Sequence, residues 1–204
     1  MNPAWRHCVR HAWIFDLDGT LTVAQHDFDA IRVALGIPPG RLILEFIAEQ
    51  PAGQRARLHA HLDEMEIALA RKARPAAGAL ELLDGLNRRG VPIGILTRNN
   101  RRNALAALAA IGALEMFCDE FILGRDEATP KPDPAGIVKL LGAWNCRPDN
   151  ATMVGDYRLD LEAGRSAGCY TVHVSAGRRE RWPELTDLHL SNLRDLSRLA
   201  LLTH

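Results

Sequence analysis

The chain has 204 residues, enough for one good-sized core and at most a small second lobe. With 47% hydrophobic and 25% charged residues its composition is that of a folded globular protein, which excludes a disordered chain. The 25 basic and 25 acidic residues cancel, so no global field favours nucleic acid or an anionic membrane, and any anionic ligand must be held by local charge.

The first ten residues have no long apolar stretch, and no run in the chain approaches the ~20 apolar residues of a membrane span. Cys8, Cys118, Cys146 and Cys169 form no C-x-x-C pair, and reduced thiols are the simplest reading. A soluble, cytoplasmic protein is expected. His7 and His11 have the i, i+4 spacing of a metal pair on a helix, but nothing else marks a helix there, and a surface pair is the plainer reading.

Residues 12–17 read as a short strand buried on both faces, bulky and aromatic, without helical periodicity. It ends in Asp16-Leu17-Asp18-Gly19-Thr20. Carboxylates at the exit of a buried strand need a reason, since burial is costly unless they are paired, hydrogen-bonded or on a metal. Three readings stand open at this point: a turn cap, an oxygen-ligand site for Mg²⁺, or an acid/base pair.

Helical patterns follow for about fifty residues. Ile31, Ala34 and Leu35 precede Gly36 and the Pro38-Pro39-Gly40 break. Leu42, Ile43, Phe46 and Ile47 form a second stripe, ended by Pro51 and Gly53. A longer third helix carries Leu58, Leu62, Met65 and Leu69 on one face, with Arg57, Glu64 and Arg71 off it. His59, His61 and Asp63 cannot all share one face of that helix. His26, Asp27 and Phe28 stand where the chain enters this segment, at a position suited to the mouth of a site.

After Pro75, strand and helix patterns alternate. A helix with Leu80, Leu83 and Leu86 ends at Gly90, and residues 91–96 are a buried strand whose exit is Thr97-Arg98-Asn99-Asn100. A helix follows over residues 101–111; Arg98 and Asn99 before it are either substrate contacts or helix-entry residues, and Asn99 is read as the second. Residues 121–123 form a third strand. Asp133-Pro134 reads as N-cap and N1 of a helix with Ile137, Leu140, Leu141 and Trp144 on its apolar face. Residues 151–154 form a fourth strand ending in Gly155-Asp156, a helix with Leu161, Ala163 and Ser166 stops at Gly168, and residues 170–174 are the fifth strand before a last helix over 192–202. Alternation of this kind predicts a three-layer α/β fold, a Rossmann-like parallel sheet with helices on both faces. Ligands then bind outside the carboxyl ends of the strands, where Asp16, Asp18, Thr97, Asp156 and Asp160 all fall.

No P-loop, dinucleotide fingerprint, zincin or nucleophile-elbow motif occurs. A carboxylate cluster, one hydroxyl and Lys131 in a proline-flanked loop remain. Asp16-Leu17-Asp18-Gly19-Thr20, Leu96-Thr97-Arg98-Asn99, Lys131-Pro132-Asp133-Pro134 and Gly155-Asp156 through Asp160 resemble, in order, the four motifs of the haloacid dehalogenase-like hydrolases. The helical segment after the first motif is similar to the small cap of the subgroup that includes phosphoglycolate phosphatase and β-phosphoglucomutase. The resemblance implies a catalytic core of residues 1–22 and 77–204 interrupted by an α-helical cap of residues 23–76.

It also implies roles. Asp16 matches the nucleophile and Asp18 the general acid/base. Mg²⁺ is implied on Asp16, the Asp18 backbone carbonyl and Asp156. Thr97, with the Arg98 amide, and Lys131 match the groups that bind the phosphoryl oxygens, and Asp160 is implied to orient Lys131 or metal-bound water. Dehalogenases lack an acid at the position of Asp18, so the resemblance is to the phosphoryl-transfer branch. The implied function is a Mg²⁺-dependent phosphatase of a small phosphorylated metabolite. The alternatives are a phosphomutase or a non-catalytic protein on the same fold. The inserted segment is short beside that of typical phosphoglycolate phosphatases, which argues against carrying that substrate over.

Overall fold

Side chains on a strand alternate between its two faces, and the first strand shows what this does in a sheet covered on both sides. In the computed structural model, which describes residues 12–25 and 27–201, β1 (Ala12–Phe15) is buried throughout. Trp13 and Phe15 project into one apolar cluster, their rings stacked at 6.0 Å, while Ala12 and Ile14 project into a second cluster. His7, Cys8, His11, His26 and Leu202 lie outside the described residues.

Three helices follow: α1 (Phe28–Leu35), α2 (Ile43–Ala48) and α3 (Ala52–Ala70). The Asp27 carboxylate caps α1 by accepting from the Ala30 N–H at 2.9 Å, and Gly36 ends it in the left-handed region. The expected stripes converge, because Ile31, Leu35, Ile37, Ile47 and Leu62 form an apolar cluster of their own, with Leu58 and Met65 packed against it.

The chain then runs α4 (Ala79–Arg88), β2 (Ile93–Leu96), α5 (Arg101–Ala110), β3 (Ile122–Leu123), α6 (Ala135–Ala143), β4 (Ala151–Gly155), α7 (Arg158–Ala167), β5 (Tyr170–Val174), β6 (Leu188–Leu190) and α8 (Leu193–Leu201). The sheet is parallel at every pairing, in the order β3-β2-β1-β4-β5-β6. Residues of α4, α5 and α8 share the Trp13 and Phe15 cluster, and those of α6 and α7 share the Ala12 and Ile14 cluster. This is the expected three-layer, Rossmann-like arrangement.

Local details differ from expectation. The sheet gains β6, an edge strand with His189 exposed between half-buried Leu188 and Leu190; three residues are too few to show a period. Helix α6 begins at Ala135, one residue later than read, with the Asp133 carboxylate accepting from the Ala135 N–H at 2.8 Å. Cys118, Cys146 and Cys169 are free thiols. Among the described residues no helix is long and apolar enough to cross a membrane.

Where α4 begins it meets the start of α8. Gly78 has φ +87°, and a Cβ there would run into the Arg194 backbone, whose N–H donates to the Ala77 carbonyl at 3.1 Å. Gly112 has φ +73° with nothing within 4 Å of a built Cβ. Gly78→Ala should therefore cost about 2 kcal/mol or more, and Gly112→Ala about 1 kcal/mol. Urea denaturation measures both, and equal losses would contradict the packing at Gly78.

Candidate active site

In a parallel sheet all strands deliver their carboxyl ends to one edge, and the crevice opens where the strand order reverses. Here that point lies between β1 and β4. Asp16 directly follows β1 and its N–H donates to the Val154 carbonyl of β4 at 2.9 Å; Asp156 directly follows β4. Thr97 follows β2, its N–H held by the Leu123 carbonyl at 3.0 Å. Lys131 lies in the loop between β3 and α6, and Asp160 in the first turn of α7.

These residues meet. Lys131 Nζ donates to Asp16 Oδ1 at 2.6 Å and pairs with Asp160 Oδ1 at 2.7 Å, with its side chain 1% exposed. The Tyr157 N–H donates to the other oxygen of Asp160 at 3.0 Å, so that carboxylate is held from both sides. The Thr20 hydroxyl lies 3.2 Å from Asp16 Oδ2 and 3.4 Å from Asp156 Oδ1, its single hydrogen shared between the two carboxylates. Gly19, at φ +96°, makes the approach possible, since a Cβ there would stand 2.5 Å from Asp156 Oδ2.

Asp18 faces elsewhere: its Oδ2 accepts from Asn99 Nδ2 at 3.3 Å. Asn99 stands at the entry to α5, its Oδ1 accepting from the Asn100 N–H and from Asn103 Nδ2, each at 2.9 Å, while its amide nitrogen reaches Asp18. Asn100 caps α5 by accepting from the Asn103 N–H at 2.8 Å, and this frees the Asn99 side chain to reach Asp18. Thr97 Oγ1 accepts from the Asn99 N–H at 3.0 Å.

Asp16, Asp156 and Asp160 are buried and each offers an oxygen within 4.8 Å of the others. Burial lifts the Asp16 carboxyl well above the usual carboxylate range; Lys131 opposes this, and Asp160 and Asp156 reinforce it. Burial, then repulsion from Asp160, pushes Asp156 up to about 7 against the pull of Arg178, whose guanidinium lies 2.5 Å from Asp156 Oδ2. Burial works against the Lys131 ammonium, but Asp16 and Asp160 outweigh it and hold the lysine charged. Three carboxylates facing two cations leave a negative surplus among buried hard oxygen donors. Such a donor set fits a hard divalent cation. The side chains gathered are those of Asp16, Asp156 and Asp160, with the Asp18 carboxylate turned to Asn99.

A cavity of about 470 Å³ opens from this cluster toward α1, α2 and α3. Arg98 is on its wall, with both Glu45 oxygens 2.8 and 2.9 Å from Nη2, and it also donates to the Lys131 carbonyl. Phe28 lines the cavity, whereas Asp27 is spent on capping α1. The sequence alone assigns no role to Thr20, which it places only within the first motif, nor to Arg178, Arg125 or Glu66. Arg178 had a signal, since it closely follows the exit of β5 on the same sheet edge as the other site residues. Glu66 shares a helical face with Leu62 and Asp63, but its partner Arg125, which also binds Asp63, lies far along the chain.

A carboxyl raised from an ordinary 3.8 to about 7 weakens the fold where it is ionised, so the penalty grows as pH rises between those values. Asp156→Asn should raise Tm in metal-free buffer by roughly 3–6 °C at pH 8, and by less at pH 5. Differential scanning calorimetry at the two pH values measures this. A loss of stability at pH 8 would contradict the charge balance described.

The sequence profile described as haloacid dehalogenase-like hydrolase matches residues 23–174. An uncharacterised hydrolase of Saccharomyces cerevisiae is 29% identical over 92% of this chain and 89% of its own length. The validoxylamine A 7'-phosphate phosphatase of Streptomyces hygroscopicus is 32% identical over 79% of this chain and 84% of its own, and the phosphoglycolate phosphatase of Rhodospirillum rubrum 31% over 81% and 80%. Among solved structures, a hydrolase from Pseudomonas syringae superposes with a TM-score of 0.76 at 24% identity, over 92% of this chain and 96% of that one. By its motifs, its sheet and these relatives, the chain belongs to the haloacid dehalogenase-like hydrolases.

Proposed function

We propose that the protein is a Mg²⁺-dependent phosphatase that hydrolyses a small phosphorylated metabolite through an aspartyl-phosphate on Asp16. The observation that carries this is the buried Asp16–Lys131–Asp160 chain beside Asp156, with Asp18 two residues beyond the nucleophile and outside that chain. Relatives named as phosphatases of validoxylamine A 7'-phosphate and of phosphoglycolate support the phosphate-ester class.

The Asp16 carboxylate attacks phosphorus as the bond to the leaving oxygen breaks, and Asp18 gives that oxygen its proton. In the second half Asp18 takes a proton from water, which attacks phosphorus and releases Asp16 and inorganic phosphate. Lys131 offers its ammonium to the charge spread over the transferring group, and Thr97 with the Arg98 amide binds a phosphoryl oxygen. Asp160 positions Lys131 across 2.7 Å. Asp16, Asp156 and the Asp18 carbonyl would hold Mg²⁺, which supplies the positive charge that lets an anionic nucleophile meet an anionic ester. Residues 23–76 form the cap in this reading, its helices closing the cavity over the reacting groups and excluding water.

Asp16→Asn, shown folded by circular dichroism, should lose about a thousandfold or more in kcat/KM and form no hydroxylamine-labile phosphoprotein. Turnover at the wild-type rate would sink the mechanism. Asp18→Asn should slow alkyl phosphates more than p-nitrophenyl phosphate, whose leaving group needs no proton. Release of free phosphate separates this reading from a mutase, which would return an isomerised ester.

Chelation with EDTA should abolish turnover and Mg²⁺ restore it. Because protons compete for an Asp156 carboxyl raised to about 7, Mg²⁺ affinity should tighten from pH 6 to pH 8, as isothermal titration calorimetry can measure.

A further inference from the structure

We propose that the leaving-group end of the cavity is built for a hydroxylated group without a second anion, of ring size and either uncharged or bearing an ammonium, with Glu66 as the side chain that reads it. This rests on the phosphatase reading and specifies the substrate class of that site.

Charge gives the first argument. Beyond the cluster of Asp16, Asp18, Lys131, Asp156 and Asp160, the charged side chains on the wall are Asp29, Glu66 and Glu180 with Arg32, Arg98 and Arg178. All three arginines are already engaged. Arg32 donates to Asp29 at 2.7 Å and to the Arg41 carbonyl at 2.9 Å, and Arg98 spans Glu45 and the Lys131 carbonyl. Arg178, nearer the phosphate end, is held by Asp156. A second carboxylate or phosphate on the substrate would have to displace one of these partners, since each of the three arginines already holds a carboxylate.

Glu66 is placed to meet a hydroxyl or ammonium on the substrate. Its side chain is 12% exposed and lines the cavity, while Arg125, 5% exposed, does not line it. Arg125 donates to Glu66 Oε2 at 2.9 Å, to the Arg98 carbonyl at 3.3 Å and to Asp63, so the carboxyl is clamped to the β2 and β3 exits rather than left to swing. Burial pushes it up to about 7 against the pull of Arg125, with Asp18 and Asp63 adding repulsion. Near neutrality such a group can both accept from and donate to hydroxyls.

Size and wall chemistry agree. About 470 Å³ lies within the range of small-molecule pockets and exceeds what a two-carbon leaving group fills. Phe28, Leu62 and Trp182 give the wall apolar surface for the C–H face of a ring. Trp182 is held by edge contact with Tyr157 at 5.5 Å and by His173 at 5.2 Å.

The test compares three esters of matched size with Mg²⁺, namely phosphoethanolamine, 2-hydroxyethyl phosphate and phosphoglycolate. Glucose 6-phosphate, pyrophosphate and p-nitrophenyl phosphate are assayed beside them. In kcat/KM, phosphoglycolate and pyrophosphate should fall about tenfold or more below 2-hydroxyethyl phosphate, and glucose 6-phosphate should exceed all three short esters. Glu66→Gln should narrow the gap between 2-hydroxyethyl phosphate and phosphoglycolate about threefold, through KM. Arg32 and Asp29 form the most exposed of these pairs, with Asp29 88% exposed. Preference for phosphoglycolate or pyrophosphate alongside turnover of p-nitrophenyl phosphate would overturn this proposal alone, and loss of that preference in Arg32→Gln would identify the cation responsible. No turnover of any ester by folded protein would overturn the phosphatase reading and this proposal with it. The wild-type comparison decides the matter even if the Glu66 variant does not fold.

Discussion

A lysine buried to 1% exposure between two carboxylates is the constraint on which the rest of this site depends. Removing one ammonium and two carboxylates from water is costly, and it is tolerable only where each charge faces its complement at hydrogen-bond distance. Lys131 meets that condition with Asp16 at 2.6 Å and Asp160 at 2.7 Å. Three chain segments must converge for this: the β1 exit, the loop before α6 and the first turn of α7. Asp156 adds a third carboxylate to a space with too little positive charge, so the fold concentrates at one point an electrostatic cost that a bound cation relieves. Stability has been given up where chemistry is proposed to occur.

A second pair of cations ties α2 and α3 to that point. Arg98 joins Glu45 of α2 to the Lys131 carbonyl, and Arg125 joins Asp63 and Glu66 of α3 to the Arg98 carbonyl. Arg125 is nearly as buried as Lys131, so its partners matter more than those of a surface pair. In the proposed roles, the loop that presents Thr97 to phosphate also anchors the helices that meet the leaving group. On that proposal the two ends of the substrate are measured from one piece of backbone.

Much of the fold was legible because its signals are local. Buried runs bounded by glycine marked five strands, and their exits collected Asp16, Thr97 and Asp156 on one edge. The sixth strand was too short to show a period. Asn99 and Asn100 are equivalent as cap formers, and only the packing of α5 shows that Asn100 takes the cap while Asn99 reaches Asp18. Arg178, Arg125 and Glu66 gain their meaning from partners distant in sequence, a relation that neither propensity nor periodicity encodes.

The first strand sets a length as well as a surface. Trp13 and Phe15 fill one core while Ala12 and Ile14 face the other, and the two slots differ greatly in volume. A slip of one residue would press an indole into the place of an alanine and turn every side chain to the wrong layer. The aromatic pair therefore acts as a ruler whose zero mark is Asp16: residues that touch no ligand fix, to within a single residue, which carboxylate of the chain emerges beside Lys131.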